Sequence, residues 1–274
     1  MKRKKTAIKL STAILILLMV LIVTGVFASI VTLKGVYDKR DKGDLYWNYN
    51  KIVEKPFKYL KIKGGNITNI IFEQNKNASV RILNYWNPTK GTIKTEIKND
   101  TLYLTFKNTY DNLGEKYWMQ RQVLVRVFAP RLLSVEGWDT NFEMQKMKQN
   151  NFDISLHGRS RLEVETYQRN MDTLNVTQCD SSQVVFEVSP DLRRSQEMSF
   201  KKVIANQTGS TLVVFEVSPD LRGSQEMSFK KVTANQTGST LLDVGRSYIN
   251  DLKLNLSDSS AIILNGKSLR SMSK

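Results

Sequence analysis

VVFEVSPDLRRSQEMSFKKVIANQTGSTL, residues Val184–Leu212, is followed without a gap by VVFEVSPDLRGSQEMSFKKVTANQTGSTL, residues Val213–Leu241. Only Arg194/Gly223 and Ile204/Thr233 differ, so the register of the duplication is unambiguous. An extra in-frame unit of this size would break a closed core, whereas a stack of units absorbs it, each touching mainly its neighbours. The duplication therefore predicts an all-β chain built as a β-solenoid of short stacked strands, at about 20–29 residues per rung. The alternative is a β-sandwich with eroded duplicated hairpins, which near-identical tandem strands suit poorly.

Working outward, a Ser or Thr precedes an apolar pair six times, at Thr140, Ser160, Ser182, Thr211, Thr240 and Ser260. The positions two and four residues later are Phe142/Met144, Leu162/Val164, Val184/Phe186, Val213/Phe215, Leu242/Val244 and Ile262/Leu264. Such alternation marks a strand with one buried face. A second apolar pair precedes each of these residues from Ser160 on: Phe152/Ile154, Leu174/Val176, Val203/Ala205, Val232/Ala234 and Leu252/Leu254. Rungs about 4.8 Å apart would set equivalent side chains over one another. Gln178, Gln207 and Gln236 should then form an amide ladder, and Phe186 should stack on Phe215. Glu187 should lie over Glu216, and Lys201/Lys202 over Lys230/Lys231, splaying into solvent because like charges repel.

The run Leu156-His157-Gly158-Arg159-Ser160-Arg161-Leu162-Glu163-Val164 resembles the Leu-Ser-Gly-Ser-Gly-x-apolar-x-apolar signature of the head GIN domain family of Bacteroidetes envelope proteins. Leu256-Ser257-Asp258-Ser259-Ser260-Ala261-Ile262-Ile263-Leu264 is similar, with Asp258 where a Gly is usual. The resemblance covers roughly 132–269, more loosely the strands from Leu60, and rests on recurrence in phase. His157, Asp180 and Asp258 displace small residues, and the two central units carry a long loop that the family usually lacks. The resemblance implies a cell-envelope β-solenoid; its adhesin label is an inference and does not fix an activity.

The chain begins with a basic tail, 1–9, and then Leu10–Leu33 runs without a charge. At 1.5 Å per residue those residues are long enough to cross a hydrocarbon core of about 30 Å. A cleavable signal peptide, cut after Val26-Phe27-Ala28, is the rival, but Ile30, Val31 and Leu33 prolong the apolar run past the usual length of about 7–15 residues. An uncleaved single-pass anchor is expected. The denser cluster Lys2, Arg3, Lys4, Lys5, Lys9 on its leading side puts the N-terminus in the cytoplasm and the rest outside. A charged tether is expected over 34–55, an N-terminal β region of early rungs or a cap over 56–131, and the solenoid over 132–274. The aromatics Tyr46, Trp47, Tyr49, Tyr85, Trp86, Tyr117 and Trp118 suit the sealing of a solenoid end, with a carbohydrate platform as the functional alternative.

One His (His157) and one Cys (Cys179) rule out a multi-His metal site or an internal disulfide within one chain. Both read as turn residues. No catalytic residue, cofactor or metal site is expected, so the chain reads as no enzyme, with a polysaccharide-active solenoid enzyme and a ligand-free mechanical spacer as alternatives. The net charge of +15 leaves a surplus of nine positive charges after Asp44. That favours anionic glycans or lipids over nucleic acid, for which no motif is present. The seven Asn-x-Ser/Thr triplets would carry glycans only in a eukaryotic secretory pathway. Ser-Pro-Asp opens each of Ser189–Glu197 and Ser218–Glu226, so both loops should leave the strand track on one side. They would form a ledge bearing Arg193, Arg194 and Arg222, with Lys201, Lys202, Lys230 and Lys231 at its base. Arg forks there suit carboxylate, sulfate or phosphate. The sequence does not set the oligomeric state.

Overall fold

The computed structural model describes residues 10–39, 42–66, 68–84, 93–107, 123–166, 170–188, 198–217, 227–245, 247–266 and 268–269. It divides into two compact units, Met1–Asn48 and Tyr49–Lys274.

The first unit carries one helix, Leu10–Asp38, apolar and long enough to cross a membrane. It runs five residues past the charge-free stretch, so the expected tether starts later than Lys34. A single Lys with a long aliphatic stem does not interrupt the helix, and Val36 and Tyr37 extend its apolar surface. None of its side chains is buried by protein. Its hydroxyls bond back along the helix, Thr24 Oγ1 to the Val20 carbonyl at 2.8 Å, Ser29 Oγ to Gly25 at 2.9 Å and Thr32 Oγ1 to Ala28 at 2.8 Å. A polar group in hydrocarbon must find such an internal partner.

Among the described residues the second unit is built of nineteen strands in two sheets, ten in one and nine in the other. Eight consecutive strands in each sheet pair parallel with their neighbours. From Ser134 onward the chain alternates between the sheets. Each unit gives one strand to the nine-stranded sheet and the next to the ten-stranded one, so equivalent strands of successive units lie side by side. The duplicated copies pair in the register their sequences dictate: Met198–Gly209 lies along Met227–Gly238 with Met198 beside Met227 and Gln207 beside Gln236. Likewise Gln183–Val188 lies along Leu212–Val217 with Phe186 beside Phe215.

The order departs from the sequence at one end. Tyr59–Lys63 and Asn69–Gln74 join the parallel run directly, next to Ser134–Trp138 and Asn141–Met147. Thr101–Phe106 and Val123–Ala129 pair on their outer side, also parallel. Beyond these, Ile93–Lys98, Ser79–Leu83 and Tyr49–Val53 pair antiparallel. Tyr49–Val53, expected in the tether, is thus a strand, because Tyr49 donates its hydroxyl to the Val123 carbonyl at 2.8 Å and its ring faces the Arg126 guanidinium. The Asn99-Asp100 turn has both residues at positive φ, 48° and 58°, the geometry of a tight hairpin whose twist matches its strands.

The core lies between the sheets. Phe186 stacks on Phe215 at 4.9 Å from one sheet and Phe200 on Phe229 at 5.0 Å from the other. The stacks meet edge to face at 5.0–5.6 Å. The amide ladder forms over one step only: Gln178, Gln207 and Gln236 are all buried and Gln236 Nε2 donates to Gln207 Oε1 at 2.7 Å, but Gln207 Nε2 turns to the Leu241 carbonyl and Gln178 Nε2 to the Leu212 carbonyl, both at 3.2 Å. The recurrent Ser/Thr has a mechanical reason. Ser160 Oγ donates to the His157 carbonyl at 2.6 Å and Ser182 Oγ to Cys179 at 3.0 Å, closing the turn three residues back. His157 itself is no turn residue but the last residue of the strand Asn151–His157, its ring stacked on Trp138 at 5.1 Å. At the turns Gly209 and Gly238 both have φ 89°, and a Cβ on Gly238 would come within 2.7 Å of the Gly209 carbonyl.

Candidate functional site

The strands Met198–Gly209 and Met227–Gly238 are longer than the pairs Val203/Ala205 and Val232/Ala234 alone announce. Met198 and Phe200 are buried, Lys201 and Lys202 are exposed, and Val203, Ala205 and Gln207 are buried again. Two consecutive outward residues shift the period-two phase, so the strand bends there; between the copies the ladder pauses at Lys201/Lys202 and resumes in the same register at Val203 beside Val232. The copy repeats the pattern around Lys230 and Lys231. The neighbouring strands do the same, with Asp172/Thr173 before the duplicated pair and Asn250/Asp251 after it.

The register therefore makes two columns of outward side chains along the bend. One runs Asn150, Asp172, Lys201, Lys230, Asn250; the other runs Asn151, Thr173, Lys202, Lys231, Asp251. In each column two lysines lie on adjacent strands about 4.8 Å apart. An aspartate relieves each column at one end only. Lys201 Nζ reaches Asp172 Oδ1 at 2.5 Å, and Lys231 Nζ reaches Asp251 Oδ2 at 3.1 Å. The hydrogen bond from Lys201 holds the Asp172 carboxyl below the usual aspartate range, with the Lys201 charge and Asn150 Nδ2 at 3.3 Å adding to it and desolvation opposing. Among the described residues neither Lys202 nor Lys230 has an ion pair.

A cleft of about 350 Å³ opens on this bend, walled by Lys201 and Lys230 on one side and by Ser199, Ser228 and Tyr248 on the other, with Asn250 at its end. Ser199 Oγ donates to Asn170 Oδ1 at 2.6 Å, which leaves its oxygen free to accept. Tyr248 is more than one-third exposed.

Of the expected ledge, Lys201, Lys202, Lys230 and Lys231 come together at this bend. Arg193, Arg194 and Arg222, with the loops 189–197 and 218–226, lie outside the described residues, as do Tyr85, Trp86, Tyr117 and Trp118. Sequence reading missed Asp172, Tyr248, Asn250 and Asp251. Aligning 170–173 and 247–251 with the KK pair, instead of stopping at the apolar pairs, would have found them.

No family model matches the sequence, and no curated protein does. Solved structures do. A "putative adhesin" from Bacteroides fragilis NCTC 9343 superposes with a TM-score of 0.50 at 14% identity, over 78% of this chain and 94% of that one. One described in the same words from Parabacteroides distasonis ATCC 8503 gives 0.44 at 13% over 78% and 92%. A "putative lipid binding protein" of that strain gives 0.39 at 13% over 78% and 94%. At these identities the Bacteroides fragilis likeness speaks for the fold: an all-β body of the kind seen in that protein, here with an apolar helix at its N-terminus.

Proposed function

We propose that this chain is a membrane-anchored, extracytoplasmic envelope protein whose β-solenoid body presents a binding surface for anionic ligands, in the manner of an adhesin. The observation that carries the reading is the basic bend, where the duplicated strands repeat an exposed lysine pair and Lys201 and Lys230 line a cleft. The helix Leu10–Asp38, with its internally bonded hydroxyls, supports an anchor retained in the bilayer. The parallel pairing of successive units supports the solenoid, with the antiparallel strands at one end as its cap. The description of the Bacteroides fragilis protein as an adhesin supports the setting. We take the role to be binding without catalysis, and the arginines Arg193, Arg194 and Arg222 to extend the basic surface.

A screen of the full chain against acidic and neutral glycans and against lipid headgroups, run beside a polysaccharide depolymerisation assay, tests this reading. Retention of acidic ligands that weakens with salt is expected. Changing Arg193, Arg194 and Arg222 to Ser should weaken it further and leave the melting temperature unchanged. Depolymerisation of a polysaccharide, or equal retention of neutral and acidic glycans, would overturn it.

A further inference from the structure

We propose that the tandem duplication itself created an anion site at the bend, and that its ligand is an acidic saccharide. The inference rests on the reading of the chain as a binding protein and names the site and ligand class.

The chain as it stands differs at the bend from the same chain carrying one copy. With a single unit between Asn170–Gln178 and Ser247–Leu256, the KK pair would have Asp172 beside its first lysine and Asp251 beside its second. Two lysines would meet two aspartates, and the bend would be neutral. At the bend the second copy adds two more lysines and, among the described residues there, no acid. Lys201 keeps Asp172 and Lys231 keeps Asp251, while Lys202 and Lys230, diagonal neighbours at the centre, have no ion pair among the described residues. Adjacent like charges on paired strands repel, and Lys230 lines the cleft beside Lys201, so an anion seated there, with Lys202 across the bend, relieves a cost that the fold already carries.

The walls point to the kind of anion. A volume of about 350 Å³ falls in the range of small-ligand sites, about 300–1,000 Å³. Its lining offers hydroxyls (Ser199, Ser228), a carboxamide (Asn250) and one half-exposed ring (Tyr248), with the rings of Phe200 and Phe229 turned into the core and buried. Hydroxyls and an amide suit a partner rich in hydroxyl groups, and a tyrosine ring gives an apolar body with a polar tip. Acyl chains would need an apolar rim. Tyr248 is the one large exposed apolar residue in that lining among those described. A carboxylated sugar satisfies the lysines with its acid and the remaining wall with its ring and hydroxyls.

The test uses the full chain reconstituted in phosphatidylcholine nanodiscs, titrated at low salt with trigalacturonate, maltotriose, inorganic phosphate and glycerophosphoglycerol. Trigalacturonate should bind, and the other three at least about tenfold more weakly, since each lacks either the charge or the sugar contacts. Two variants then ask whether the uncompensated pair is responsible. Thr173→Asp with Asn250→Asp sets a carboxylate beside Lys202 and another beside Lys230 without removing a lysine. Deleting Val184–Leu212 restores the single-copy bend. Each should weaken trigalacturonate about tenfold, with cooperative unfolding retained. Parent-like affinity in the charge-compensated variant overturns the proposal even if the deletion fails to fold. Phosphate or glycerophosphoglycerol binding as tightly as trigalacturonate overturns the saccharide assignment. If the parent binds acidic glycans and neither variant changes this, the corner fails and the envelope-binding reading stands. A parent that binds no glycan sinks both.

Discussion

Phe215 sits where the two aromatic stacks cross, face to face with Phe186 and edge to face with Phe200 and Phe229. Truncation there removes a fully buried ring that close-packed neighbours cannot replace. Phe215→Ala should lower unfolding stability by about 3–5 kcal/mol in a denaturant titration. Gly238 is constrained by its backbone, because a positive φ and a carbonyl at 2.7 Å from the would-be Cβ both exclude a side chain. Gly238→Ala should cost about 1–3 kcal/mol, and Ser239→Ala one position on, exposed in the same turn, should be close to neutral. Asp172 sets a pH dependence. Its folded-state carboxyl is held below the ordinary value of about 3.9, so the contribution of its pair with Lys201 is present above that value and disappears as pH falls through the lowered one. Asp172→Asn should therefore flatten the acid limb of the stability profile below about pH 4 and leave the curve between pH 6 and 8 parallel to that of the parent.

At the scale of the strand, the unit Val184–Leu212 makes its contacts with the strands before and after it, and an equivalent strand stands ready on each side to pair when it is removed. Its deletion should give a shorter chain that still unfolds cooperatively, followed by circular dichroism on heating; a molten, non-cooperative product would show that the units do not stack independently. The side-by-side pairing of the two copies was legible in the sequence because the duplication fixed the register and the apolar pairs fixed the buried face. So were the Phe186/Phe215 stack and the Gln207–Gln236 step of the glutamine column, though not its step to Gln178. What escaped was the bend. Period-two reading looks for one unbroken phase, and the shift between Phe200 and Val203 leaves Met198 and Phe200 out of step with the pairs that follow. The charge pattern at the bend was half legible for the same reason, since Lys201 and Lys202 announced themselves by repetition while Asp172 and Asp251 sit in units of unlike sequence. The insertion of Thr101–Phe106 and Val123–Ala129 outside Tyr59–Lys63 and Asn69–Gln74 had no local signal at all, because neighbour choice between distant strands is decided by the whole packed edge.

For the molecule as a whole, the described residues form one apolar helix long enough to cross a membrane and one all-β body, to which the proposed reading gives attachment and recognition. The anchor reading predicts that the mature chain keeps Leu10–Asp38 and stays with membranes through carbonate and high salt. An intact mass that places the N-terminus at Ser29 would show cleavage instead. Everything proposed for the basic bend depends on the two copies lying side by side in register, with Asn206 and Asn235 marking that register on the surface, where the Asn235 amide donates to Asn206 Oδ1 at 2.8 Å. Nitroxide labels on Asn206→Cys and Asn235→Cys, in a Cys179→Ser background and with the chain diluted in nanodiscs, measure it directly by continuous-wave EPR. Strong dipolar broadening is predicted for this pair, decreasing when the second label is moved to Lys253 one strand further on; narrow, uncoupled spectra from the 206/235 pair would contradict the in-register stack.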